Sequence, residues 1–251
     1  MSGSLLERKS KLIIRGGMEF LLDRAGLFLL ILYIAHRMPE ILPFNALSFW
    51  SAENIGAGII AIWPLLLLAI LSQAIVLISF HNFLHKSENE KILKECKKDI
   101  IVTGITISVV AGIVEEIVHW WAYMIIALII LDELNILSTT IFGFEIIKYL
   151  YVNVFGYLAE KMTFGYMHAL LYKTSWTIGA SIFIANCIFV FAHENKSPIF
   201  YYIIWMAGMF LFWLMFTYGI FVAMIAHALY NFTIHFVIYL YVAITKRVIW
   251  D

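Results

Sequence analysis

Residues 55–80, IGAGIIAIWPLLLLAILSQAIVLISF, run for 26 residues without Asp, Glu, Lys or Arg. A helix rises 1.5 Å per residue and needs roughly 20 apolar residues to cross a bilayer, so this stretch predicts one full crossing. Its neighbours read the same way. Ile100–Leu131 is 32 residues long and is interrupted only by Glu115, Glu116 and His119. Ser175–Ala192 is charge-free and just long enough to span. Ile199–Thr245 holds 47 residues without a carboxylate, lysine or arginine and is broken near Thr217-Tyr218-Gly219, which predicts two spans joined by a tight turn. Ala25–Ala35 is shorter and spans if Arg24 and Arg37 snorkel at its ends. These runs make six crossings. Asp132–Thr174, apolar and aromatic but divided by Glu145, Lys148, Glu160, Lys161 and Lys173, is either an interfacial amphipathic pair or a hairpin. Taken as a hairpin over 137–174, it makes eight.

Composition agrees with lipid as the main solvent. The 251 residues are 63% hydrophobic and only 14% charged, far from soluble globular usage. The expected fold is all-α, a polytopic transmembrane bundle of six to eight helices forming one integral membrane domain over 1–251. Lys plus Arg equals Asp plus Glu at 17 each, so no basic excess points to nucleic acid, and the partner implied by composition is the lipid bilayer. Cys96 and Cys187 form neither a disulfide framework nor a metal-ligand spacing. The N-terminal stretch has no small-residue cleavage site after its apolar part, so the whole chain is read as mature. The soluble-looking linker is His81–Asp99. Lysine and arginine concentrate in 1–24 and 81–99, which by the positive-inside rule places the N-terminus, that loop and the C-terminus in the cytoplasm, with the plasma membrane as the expected location.

Against this background the polar residues inside apolar runs stand out. A carboxylate at mid-bilayer costs about 2.5–3.5 kcal/mol on insertion scales, so the adjacent Glu115 and Glu116 need a partner or a function. His193 ends one apolar run. His227 and Asn231 lie four apart in another, on one face of a helix, and His235 continues that stripe. Glu115 and His119 share the same spacing. For His119, His168 and His235 the expected role is that of a bonded structural residue. Two glutamates, two histidines and an amide on three helices together point to chemistry.

Three ordered motifs carry a resemblance. Glu115-Glu116-Ile-Val-His119-Trp120, Phe189-Val-Phe-Ala-His193 and His227-Ala-Leu-Tyr-Asn231 are similar to the Glu-Glu-x-x-x-Arg, Phe-x-x-x-His and His-x-x-x-Asn motifs of the CAAX-endopeptidase and bacteriocin-immunity family of intramembrane proteases. The resemblance extends over roughly Ile100–Phe236. Trp120 stands where that family has arginine, with His119 the nearest replacement. A second Phe-x-x-x-His, Phe164–His168, lies between the first and second motifs. His193 is preferred because an apolar span precedes it.

The resemblance implies a glutamate-type endopeptidase acting on membrane-associated proteins or peptides. Glu115 would be the general base, His193 would help to orient and deprotonate water, His227 and Asn231 would stabilise the oxyanion, and Glu116 would support the site electrostatically. It implies no cofactor. One carboxylate and two imidazoles are also a known catalytic zinc set, so the residues by themselves leave zinc open. Two other readings compete. A catalytically degenerate relative would serve in immunity or as a scaffold, and a proton-coupled transporter would also place carboxylates and histidines in lipid.

Overall fold

The computed structural model describes residues 5–23, 25–37, 42, 45–50, 54–81, 84–86, 89–173, 175–193 and 197–248. Their backbone is almost wholly helical, in agreement with the all-α expectation. Among the described residues four helical stretches are long and apolar enough to cross a membrane: Ile55–Phe80, Ile92–Phe142, Pro198–Tyr218 and Ile220–Thr245. These are the mark of an integral membrane protein. The expected total of six to eight is larger. Of the other predicted crossings, Trp176–Ala192 is an apolar helix of 17 residues and Ala25–Arg37 a helix of 13, both short for a perpendicular crossing of a hydrocarbon core about 30 Å thick.

The chain contacts divide into two compact units, one made of residues 1–23, 59–114 and 224–251, the other of 24–58 and 115–223. The first unit contains α1 (Leu5–Asp23), the end of α3 (Ile55–Ala61) from Ile59, all of α4 (Trp63–Phe80), α5 (Glu90–Glu115) up to Val114, and α11 (Ile220–Thr245) from Met224. The predicted linker 81–99 is helical from Glu90 onward. The reason is visible in its sequence, because Leu93, Cys96 and Ile100 fall at helical spacing and close on Val242, Ile238 and Tyr241 of α11. Small residues let α5 and α11 approach. A Cβ on Gly112 would meet the Met224 carbonyl at 2.8 Å and the Ala228 Cβ at 3.0 Å, and one on Gly104 would run into the His235 ring. His235 also has Nδ1 2.9 Å from the Asn231 carbonyl. It is the bonded structural histidine that its position predicts.

The second unit is organised around α9 (Trp176–Ala192), buried on most sides and packed chiefly against α6 (Tyr123–Phe142) and α10 (Pro198–Tyr218). Asn186, fully buried, donates from Nδ2 to the Trp205 carbonyl at 2.9 Å and fixes α9 against α10. The predicted break at 217–219 falls where expected. α10 stops at Tyr218, and Gly219 adopts φ +96°, a conformation that side chains disfavour.

The ambiguous segment 132–174 is helical and irregular. α6 ends on Gly143 in the left-handed conformation, whose N–H donates to the Thr139 carbonyl at 2.8 Å. The chain then reverses through a polar clasp. Asn135 accepts the Lys148 backbone N–H at 3.1 Å and donates to Glu145 at 3.2 Å, while Lys148 Nζ lies 2.8 Å from Glu145. Beyond it, α7 (Ile146–Leu150), a π-helical stretch Tyr151–Phe155 and α8 (Gly156–Met162) run on continuously. A turn carrying Phe164 at φ +53° and Gly165 at φ +78° leads to a second π-helical stretch, Ala169–Lys173, and into α9. The approach of these pieces depends on Gly179, where a Cβ would collide with the Leu171 carbonyl and the Tyr151 hydroxyl. Those two groups are themselves bonded at 3.1 Å.

Candidate active site

Glu115 is the last residue of α5, and Glu116 opens a π-helical stretch, Glu116–Ala122, that joins α5 to α6. Glu115 is half-buried and Glu116 is completely buried. The π geometry matters for the expected Glu115–His119 pairing. That pairing assumes 3.6 residues per turn, whereas bonds to the fifth residue widen the turn and shift side chains around the axis. The side chains of His119 and Trp120 lie outside the described residues. π-helical insertions recur at functional positions in helices, and this one coincides with the two glutamates.

His193 caps the C-terminal end of α9 with extended backbone angles, φ −91° and ψ 115°. Its ring packs edge-on to Phe189, with centroids 4.5 Å apart, and its Nδ1 is 2.8 Å from the Phe189 carbonyl oxygen. A carbonyl oxygen only accepts, so Nδ1 carries the proton. In the neutral ring the lone pair is then on Nε2, the tautomer of a general base. The four-residue spacing of Phe189 and His193 thereby acquires a physical meaning, since Phe189 supplies both a wall and the acceptor that orients the imidazole.

His227 and Asn231 lie on α11 as helical spacing requires. His227 is buried, with 4% of its surface exposed, and Asn231 is half-buried. Asn231 lies three residues after Ala228 and four before His235, both of which touch α5, so it is on the face of α11 turned to that helix. Glu115, Glu116 and His193 belong to one compact unit and His227 and Asn231 to the other.

A further carboxylate and imidazole pair emerges that sequence periodicity misses. Glu160 of α8 and His168 are bonded across the Phe164–Gly165 turn, with Nδ1 of His168 2.9 Å from Glu160 Oε1. Glu160 is the more sheltered member, its side chain 28% exposed against 53% for His168. His168 is thus bonded, as expected of it, and lies at the surface. The His168 ring also packs on Tyr172, with centroids 5.2 Å apart. The end of α8 is fixed by Tyr202 of α10, whose hydroxyl donates to the Met162 carbonyl at 2.8 Å. The available sequence signal was the second Phe-x-x-x-His at 164–168, eight residues after a lone glutamate. Among the described residues no three His, Cys, Asp or Glu side chains are gathered as a metal site.

Residues 142–233, about a third of the chain, match the family model described as type II CAAX prenyl endopeptidase, Rce1-like. Over this segment the chain is similar to Rce1-like domains. It contains His193, His227 and Asn231. It begins after Glu115 and Glu116, so its extent is narrower than the expected 100–236, and the only described carboxylates in the Rce1-like segment are Glu145 and Glu160. No curated protein and no solved structure matches the chain.

Proposed function

We propose that the protein is an intramembrane endopeptidase that hydrolyses peptide bonds in membrane-associated proteins or peptides with a carboxylate-activated water. The observation that carries the reading is the Phe189–His193 pair inside the Rce1-like segment, an imidazole oriented with Nε2 as its basic nitrogen. In this chemistry the carboxylate and His193 take a proton from water as its oxygen adds to the scissile carbonyl. Protonated His227 or its N–H, together with the Asn231 amide, donates to the oxyanion. Collapse of the tetrahedral adduct returns the proton to the leaving amine, so that one water is consumed and two chain ends form. Glu115 is the base and Glu116 its electrostatic support. The proposed mechanism uses no metal.

A second reading concerns the carboxylate alone. The Rce1-like segment excludes Glu115 and Glu116 yet contains Glu160, bonded to an imidazole and carried on a helix that packs against α9. Glu160 then takes the base role, with His168 holding it. Purified protein reconstituted with membrane peptides separates the two. Glu115→Ala lowers turnover about 10²–10⁴-fold under the first reading and leaves it near wild type under the second, and Glu160→Ala does the reverse. Absence of cleavage by the wild type, with correct insertion, favours a degenerate family member serving as a scaffold or immunity protein.

A further inference from the structure

Where α5 begins and α11 ends, a cleft of about 760 Å³ is lined by Lys86, Lys94, Lys97 and Lys246, with Glu90 as the single carboxylate among the described residues. All of it belongs to one compact unit. Its walls are held by contacts far apart in sequence. Residues His85–Lys86 pair as a short antiparallel strand with Arg247–Val248. The Arg247 guanidinium donates to the carbonyls of His81 at 2.9 Å and Leu84 at 2.8 Å, and the Tyr241 hydroxyl is 2.7 Å from His81 Nδ1. Arg247 is thus committed to the backbone, and the cations that line the cleft among the described residues are lysines. Lysine ammonium groups are compact point charges, and they bind phosphate as such.

The base of the cleft is apolar. Leu93 and Val242 are buried there, and the outer surface of α11 running away from it displays Leu240 and Phe236 at 41% exposure each. Both helices leave the cleft as candidate membrane spans. A ligand seated among the lysines therefore meets hydrocarbon-facing helix surface directly beside it. Charge above and apolar surface below fit an amphiphile whose head is anionic.

We infer that this cleft binds the phosphate-bearing headgroup of an anionic phospholipid, with its acyl chains lying along α5 and α11. Basic clefts between spanning helices at the membrane edge recognise such headgroups, each lysine near the surface contributing a favourable increment. The inference is independent of catalysis.

The test uses the full-length protein purified in neutral detergent, with bound lipid counted by native mass spectrometry after mixing with equal phosphatidylglycerol and phosphatidylcholine. The wild type retains phosphatidylglycerol preferentially. Each lysine-to-glutamine change in Lys86, Lys94, Lys97 and Lys246 lowers that preference by about fivefold, whereas Lys148→Gln with Lys161→Gln leaves it unchanged. Lys97→Arg restores most of the preference that Lys97→Gln removes, which keeps the test valid if a glutamine variant folds poorly. Equal retention of both lipids by the wild type, or an undiminished preference in Lys94→Gln and Lys97→Gln, overturns the inference. Displacement of the lipid by millimolar inorganic phosphate alone assigns the cleft to free anions and overturns it as well.

Discussion

His193 illustrates how one side chain acquires a role from its neighbour. The Phe189 carbonyl settles which ring nitrogen carries the proton and leaves Nε2 as the basic nitrogen that the proposed mechanism uses. His193→Gln should lower turnover about 10²–10⁴-fold while leaving thermal stability in detergent near wild type, because a half-buried cap rather than a core residue is changed. Gly179 makes the opposite case. Gly179→Ala forces a methyl group into the Leu171 carbonyl and Tyr151 hydroxyl and should cost about 1–3 kcal/mol, read as a lower apparent melting temperature. The sequence discloses His193, His227 and Asn231 because four-residue spacing is a property of one helix. Glu160 and His168 stay hidden in it, since their bond spans eight residues through a left-handed turn that no periodicity encodes.

At the level of elements, the junction between α6 and α7 rests on one buried amide. Asn135→Leu removes the acceptor of the Lys148 N–H and should destabilise the junction by about 1–3 kcal/mol, with faster hydrogen exchange over Ile146–Leu150. The same clasp gives a pH dependence. The bond from Lys148, supported by Asn135, holds the Glu145 carboxyl below its ordinary range. A lowered carboxylate contributes stability that is present above its ordinary range and lost as pH falls through the lowered value. Protection of Ile146–Leu150 should therefore weaken on acidification, and Glu145→Gln should abolish that acid-side change. The break at Gly219 was legible because a glycine between two apolar runs marks the one residue type at ease there. The segment 132–174 was not, because Asn135 reaches its partners 10 and 13 residues away and the π-helical stretches have no compositional signature. The helical start of α5 was equally hidden behind its charges, since the burial of Leu93 depends on Val242 at the other end of the chain.

For the whole molecule, the membrane class follows from apolar run length alone, and the long apolar stretches reappear as helices. Run length does not fix the number of crossings, because Trp176–Ala192 and Ala25–Arg37 sit near or below the spanning threshold and their tilt depends on packing. The charge distribution predicts both termini on the cytoplasmic side and hence an even number of crossings. Reporters fused at each terminus should give the same inside signal, and opposite signals would require an odd number. The activity proposal draws on a matched segment that holds two of the motif histidines and the asparagine but not the Glu115–Glu116 pair. The most direct measurement is cleavage of membrane-embedded peptides by the reconstituted protein, followed by mass spectrometry of the products, for the wild type, His193→Ala and His227→Ala. The account predicts peptide-bond hydrolysis by the wild type, unaffected by chelators, and at least a roughly 100-fold loss in each variant. Cleavage that survives both substitutions at the wild-type rate would contradict it.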